Sequence, residues 1–175
     1  MIFRNLAGAN SKEKGTVMDM NCVTFEEELN RSGRLAYTNV GFSMMPLIRE
    51  GRDIMVIEKR DVKEIRRLDA VLFRRRGVTG RGAYVLHRIL KVMPDGKYWI
   101  IGDNCTSGEI VATEDVLGVL TQVSRGGKKT IHVTDFSYRA YVLLWCRPYH
   151  LRIFVQRVVR FGLRNLRFIK RKMVG

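Results

Sequence analysis

Apolar positions follow two different periods along this chain. From about position 33 to position 135 they come in short runs rich in Val, Ile, Leu and Tyr. These runs are Leu35–Val40, Asp53–Ile57, Asp69–Phe73, Ala83–Met93, Lys97–Ile101, Val116–Val123 and Lys129–Thr134. β-branched and aromatic enrichment between turn formers predicts strands. Pro94-Asp95-Gly96 predicts a hairpin turn, and Arg125-Gly126-Gly127-Lys128 predicts a second. Ahead of the first strand, Thr24 and Glu27 have capping-box spacing and Gly33 is a helix stop, which predicts a short helix between them. Seven short strands in about 100 residues predict a mostly β domain, a coiled sheet or barrel.

The period then changes. Arg157, Arg160, Arg164, Arg167 and Arg171 recur at three- and four-residue steps, so they share one arc of a helix. Val155, Val158, Val159, Leu163, Leu166, Ile169 and Met173 fall on the other arc. The tail is predicted as an amphipathic helix with an arginine face, limited upstream by Pro148. The chain is therefore divided into a loosely structured leader (1–22), a β core (23–135) and a basic helical tail (136–175).

Charge reinforces that division. The 175 residues carry a net charge of +15, and 46% of them are apolar, which suits a packed domain and excludes a disordered or low-complexity chain. From Arg139 to Gly175 there are ten Lys or Arg and no Asp or Glu, so the tail supplies ten of the fifteen net charges. Such a surplus attracts polyanions, either nucleic acid or an anionic membrane face. The longest apolar run, Ala140–Cys146, is too short to cross a bilayer, which takes about 20 residues. The opening residues show no apolar stretch of a secretion signal. Three widely spaced cysteines without a Cys-x-x-Cys pair, and three dispersed histidines, suggest a reduced compartment, with no disulfide scaffold, metal site or cofactor.

Three stretches could carry chemistry. Gly41-Phe42-Ser43-Met44-Met45-Pro46 places a serine in a turn after a strand, where its hydroxyl and its own N–H are both presented. Tyr84-Val85-Leu86-His87-Arg88-Ile89-Leu90 interrupts an apolar strand with an ionisable pair, and a desolvated neutral imidazole is a competent base near neutrality. Ile101-Gly102-Asp103-Asn104-Cys105 is a glycine-led turn with a carboxylate that could orient a histidine. Singly, each stretch reads more readily as an ordinary turn or core role than as a catalytic one.

Together they resemble the signal peptidase I and LexA-like serine peptidase superfamily. The resemblance runs over about residues 33–128. It rests on Gly-x-Ser-Met-x-Pro at Gly41–Pro46, the Gly51 and Asp53 element, Asp69–Phe73, Val85–Ile89, Gly102-Asp103-Asn104 and Val116–Val119. It implies the coiled β-sheet peptidase core of that superfamily, with Ser43 as nucleophile. His87 stands where many members carry a lysine base, which is similar to the endoplasmic-reticulum branch of signalases and implies a Ser-His enzyme. Asp103 matches the Gly-Asp box, while Glu109 occupies the region of a further acidic residue in that branch. Either could be the third catalytic group.

Three departures accompany the resemblance. Arg52 separates Gly51 from Asp53, Leu68 stands where a glycine is usual, and the family's amino-terminal membrane anchor is not expected here. The implied activity is a bacterial serine endopeptidase that trims a leader or signal segment, peripherally bound on the cytoplasmic side of a membrane. The tail is expected either to pack its apolar arc on the core or to adsorb to anionic lipid. Nucleic acid is disfavoured, because no helix-turn-helix or zinc motif accompanies the arginines. Alternatives are a self-cleaving switch cut at Ala7-Gly8 and a catalytically silent peptide- or membrane-binding module.

Overall fold

The computed structural model describes residues 24–38, 40–78 and 83–173, and in the last helix the side chains of 160 and 163–173 are not among the described atoms. The leader, Cys22 and the Ala7-Gly8 site lie outside the described residues. The chain begins with helix α1, Phe25–Ser32. Thr24 and Glu27 cap it reciprocally, Thr24 Oγ1 accepting from the Glu27 N–H and a Glu27 carboxylate oxygen accepting from the Thr24 N–H. Leu29 is the residue of α1 buried against the sheet.

Eight strands follow: β1 (Arg34–Thr38), β2 (Asp53–Glu58), β3 (Ala70–Arg74), β4 (Tyr84–Val92), β5 (Tyr98–Ile101), β6 (Glu109–Val111), β7 (Val116–Arg125) and β8 (Lys129–His132). All described pairings are antiparallel, in the order β1-β2-β7-β3-β4-β5-β6, with β8 beside the far half of β7. The protein is thus mostly β, as the strand pattern predicts. Its sheet is open rather than closed as a barrel: β1 and β6 each pair with one neighbour among the described residues. The Arg125–Lys128 turn, closed by Lys128 N–H on Arg125 O at 3.1 Å, needs its two glycines, since Gly126 (φ 57°) and Gly127 (φ 70°) at its centre both lie in the left-handed region.

Both faces of the sheet centre are covered. Alternate residues of β3 enter different clusters. Ala70 and Leu72 join Leu29, Met44, Ile48, Met55, Leu86 and Leu120 on one face, and Val71 and Phe73 join Ile89, Tyr98, Ile100 and Val119 on the other. This alternation gives the two ionisable neighbours on β4, His87 and Arg88, different surroundings.

Two of the three departures, Arg52 and Leu68, have local explanations. Arg52 forks onto the buried Asp53 carboxylate at 2.6 and 2.7 Å, so the inserted residue is itself that aspartate's partner. Leu68 adopts φ 76°, the left-handed region a glycine would favour. Its carbonyl accepts from Arg88 Nη1 at 2.7 Å and its N–H donates to Ile89 O at 2.7 Å.

The tail is helical as expected, in three pieces. Helix α2 (Phe136–Tyr141) runs into a wide π turn (Val142–Cys146), and α3 spans Tyr149–Met173, starting immediately after Pro148. No helix among the described residues is long and apolar enough to cross a membrane.

Candidate active site

The turn after β1 carries Ser43. Met44, Leu47 and Ile48 are buried in the main core and pin the turn from below, while Phe42 projects outward and Ser43 is half-buried. Main-chain bonds from Met45 N–H to Phe42 O (3.2 Å) and from Ile48 N–H to Met44 O (3.0 Å) close the turn, and the bond before Pro46 is cis.

The Gly102–Cys105 loop, entered from β5, lies over that turn. Asn104 N–H donates to Ser43 O at 2.7 Å, and Asn104 Nδ2 donates to Phe42 O at 3.1 Å. Gly102 marks the closest approach. A Cβ at this position would stand 2.7 Å from Ser43 O, 2.8 Å from Cys105 Sγ and 3.0 Å from His87 Nε2. A bare backbone here is what lets the serine turn, the thiol and the imidazole meet.

His87 lies on β4 opposite Val71 and is buried, its ring 6.0 Å from that of Phe73. Its Nδ1 faces Glu109 Oε1 at 3.3 Å, a bent contact with ion-pair distance rather than a linear hydrogen bond. Its other polar neighbour is the Cys105 thiol: Sγ and His87 Nε2 both lie within 3.0 Å of where a Gly102 Cβ would be, and the thiol acts electrostatically on the imidazole. Burial alone would lower the imidazole pKa, but Cys105 and Glu109 outweigh it and the net shift is upward.

Glu109 opens β6 and pairs in register with Ile100. Arg75 holds it with a fork, Nε to Oε2 at 2.9 Å and Nη2 to Oε1 at 2.5 Å. The contact with His87, reinforced by Arg75 against partial burial, holds the Glu109 carboxyl down at about 2. It is a carboxylate at neutral pH. The β6 strand was not anticipated from sequence. It is three residues long, and its approach to β5 depends on Gly108, where a Cβ would stand 2.7 Å from Ile100 O and Trp99 Nε1.

Asp103 is elsewhere. It is fully buried on the opposite side from His87's carboxylate and takes a bidentate pair from Arg88, 2.9 Å from Nε and 2.7 Å from Nη2. Tyr141 OH donates to it at 2.9 Å, and Arg152 Nη1 stands 3.6 Å away. Burial would raise its pKa, but Arg88 pulls it below the ordinary value. Of the two acidic candidates, the structure therefore brings Glu109 to His87 and commits Asp103 to a buried ion pair beneath the loop.

Cys105 is the neighbour that sequence reasoning passed over. Its only signal was position, two residues beyond the Asp103 box. By contrast, Cys146 is buried, and burial pushes its thiol up to about 12. Among the described residues, no group of three or more His, Cys, Asp or Glu is arranged to hold a metal ion. Comparison of the chain with protein-family models, with curated proteins and with solved structures finds no match in any of the three.

Proposed function

We propose that this protein is a serine endopeptidase related to signal peptidase I, which cleaves a leader or signal segment from a peptide or protein substrate. The observation that supports this best is the setting of His87. A carboxylate kept ionised faces Nδ1, and the Ser43 main-chain oxygen and His87 Nε2 both border the space that a Gly102 Cβ would fill, at 2.7 and 3.0 Å from it.

In this reading, Ser43 Oγ attacks the scissile carbonyl carbon while His87 Nε2 takes its proton. The Ser43 N–H and a neighbouring donor hold the tetrahedral oxyanion. His87 then returns the proton to the leaving amine as the C–N bond breaks. Water, deprotonated by His87, attacks the acyl-enzyme, releasing the new carboxyl end and restoring Ser43. Glu109 keeps the Nδ1 proton in place and stabilises the imidazolium. Arg75 keeps Glu109 charged, and Asp103 with Arg88 positions the loop above Ser43. Strand β1 leads into the serine turn and pairs with β2 alone among the described residues, and an extended substrate would pair along its other edge. The resemblance implies small side chains just before the cut.

The test is labelling with a serine-acylating probe, read by intact mass, on the parent, Ser43→Ala and His87→Ala. One adduct, lost in both variants, is expected. A second reading follows from the thiol against His87: Cys105 could be the attacking group of the same imidazole and carboxylate. An adduct that survives Ser43→Ala and disappears in Cys105→Ala would replace the first reading with this one. A purified chain shortened after Ala7 would favour the self-cleaving switch. Peptide binding without cleavage would favour a silent module.

A further inference from the structure

The face of α3 that meets the core is polar. Trp145 Nε1 donates to Asp103 O at 3.3 Å, Arg152 is buried beside the Asp103 carboxylate, and Gln156 Nε2 donates to Asn104 Oδ1 at 3.4 Å. Tyr149 packs edge-on against Trp99 with ring centroids 5.4 Å apart. At about 100° per residue Tyr149, Arg152 and Gln156 share one arc of α3, and Trp145 reaches the same loop from the π turn before it. The opposite arc holds Leu151, Phe154, Val155, Val158 and Phe161, with Leu144 from the preceding turn, and all are exposed, Leu144 by 74% and Phe154 by 64%. This inverts the usual arrangement, in which the apolar arc of a surface helix faces the core. In the sequence, Leu166 and Ile169 continue the stripe, and basic residues flank it with no acidic residue from position 139 onward.

Charge decides what covers such a stripe. A second copy would bury it but would bring two tails of ten like charges together. Nucleic acid would take the arginines and leave Phe154 and Leu151 in water. An anionic bilayer takes both, with the apolar arc in the acyl boundary and the guanidinium groups among the lipid phosphates.

We propose that α3 and the turn before it lie on the surface of an anionic phospholipid bilayer, with the stripe from Leu144 to Phe161 buried in the interface. Asn104 links the helix to the serine turn, accepting from Gln156 and donating to Ser43 O and Phe42 O, so docking carries the candidate site to the bilayer surface with α3. The docking rests on the exposed stripe and the charge, not on the peptidase reading, and binding is measured without turnover.

The experiment is vesicle flotation of the full chain, using phosphatidylcholine alone and phosphatidylcholine with about one-third phosphatidylglycerol. The variant is Phe154→Ser with Val158→Ser, two exposed positions, with an unchanged melting curve confirming the fold. Flotation is expected with the anionic vesicles and not with the neutral ones. It should weaken at raised salt and fall by on the order of tenfold or more in the double variant. No flotation on anionic vesicles would overturn the proposal, as would equal flotation of the double variant. So would a dimer in sedimentation equilibrium that the double substitution dissolves, because the stripe would then be a self-interface.

Discussion

His87 and Arg88 are consecutive on β4 and serve opposite faces of the sheet. Val71 stands opposite the first and Ala70 opposite the second, and the carboxylates they meet are Glu109 and Asp103 respectively. Because successive strand residues alternate, one acidic residue cannot serve both. The pleat therefore separates a partly exposed pair at the serine turn from a fully buried pair beneath the loop.

That separation predicts two different phenotypes. Glu109→Gln should keep the fold and lower kcat/KM by about 10²–10⁴-fold, the scale of losing the group that orients a catalytic histidine. Asp103→Asn should lower stability instead. It leaves Arg88 and Arg152 buried without their carboxylate, at a cost of about 3–5 kcal/mol. Thermal melting beside kinetics checks both. A Glu109→Gln protein that melts as low as Asp103→Asn would refute the division of roles.

The pH profile follows from the direction of the His87 shift. A base must be neutral to act, and the imidazole pKa is raised above its ordinary 6.5. Activity should therefore rise through an acid limb centred above 6.5. Glu109→Gln and Cys105→Ala each remove a group that raises this pKa, so both should move the limb to lower pH, whatever they do to the maximum rate. Stability has the opposite sign for the two partners. The contribution from His87 is complete below 6.5 and fades as pH rises through the raised value. That from Glu109 is complete above its ordinary 4.5 and fades as pH falls toward about 2. Initial rates and denaturant midpoints across pH test each part.

Gly102→Ala should be disproportionately damaging for one added methyl group. Its Cβ would stand under 3.0 Å from the Ser43 carbonyl, which is backbone and cannot swing aside. The loop must lift from the serine turn, and a misplacement of about 1 Å can cost on the order of 10²-fold in rate. Probe labelling of the variant should slow by that order. Labelling at the parent rate would mean the contact does not matter to the site.

Leu68 predicts an inverted substitution order. Elsewhere in a strand or helix, glycine is less stable than alanine. At φ 76° the Cβ is the liability, so Leu68→Gly should be more stable than Leu68→Ala by about 1 kcal/mol. Urea unfolding of the two variants measures the difference directly.

Much of the fold was legible locally. The capping box at Thr24 and Glu27, the Gly126-Gly127 turn, seven of the eight strands and the helix start after Pro148 all depend on residues within a few positions of one another. Ser43, His87 and Asp103 could be singled out by their place at strand ends or inside an apolar strand, and Glu109 only through the resemblance. β6 escaped because three residues carry almost no period, and its pairing depends on the bare backbone of Gly108 beside Trp99.

The amino-acid sequence by itself determined a mostly β core, a basic amphipathic tail and a short set of residues able to do chemistry, because period, capping and charge are local properties of the chain. Tertiary structure alone decided the rest. It decided which carboxylate meets His87, that Cys105 and the same ring both border Gly102, and that α3 turns Arg152 inward and Phe154 outward. These outcomes depend on β4 and β5 register and on how the loop after β5 is buried. Those relationships join residues tens of positions apart, and no local pattern encodes them.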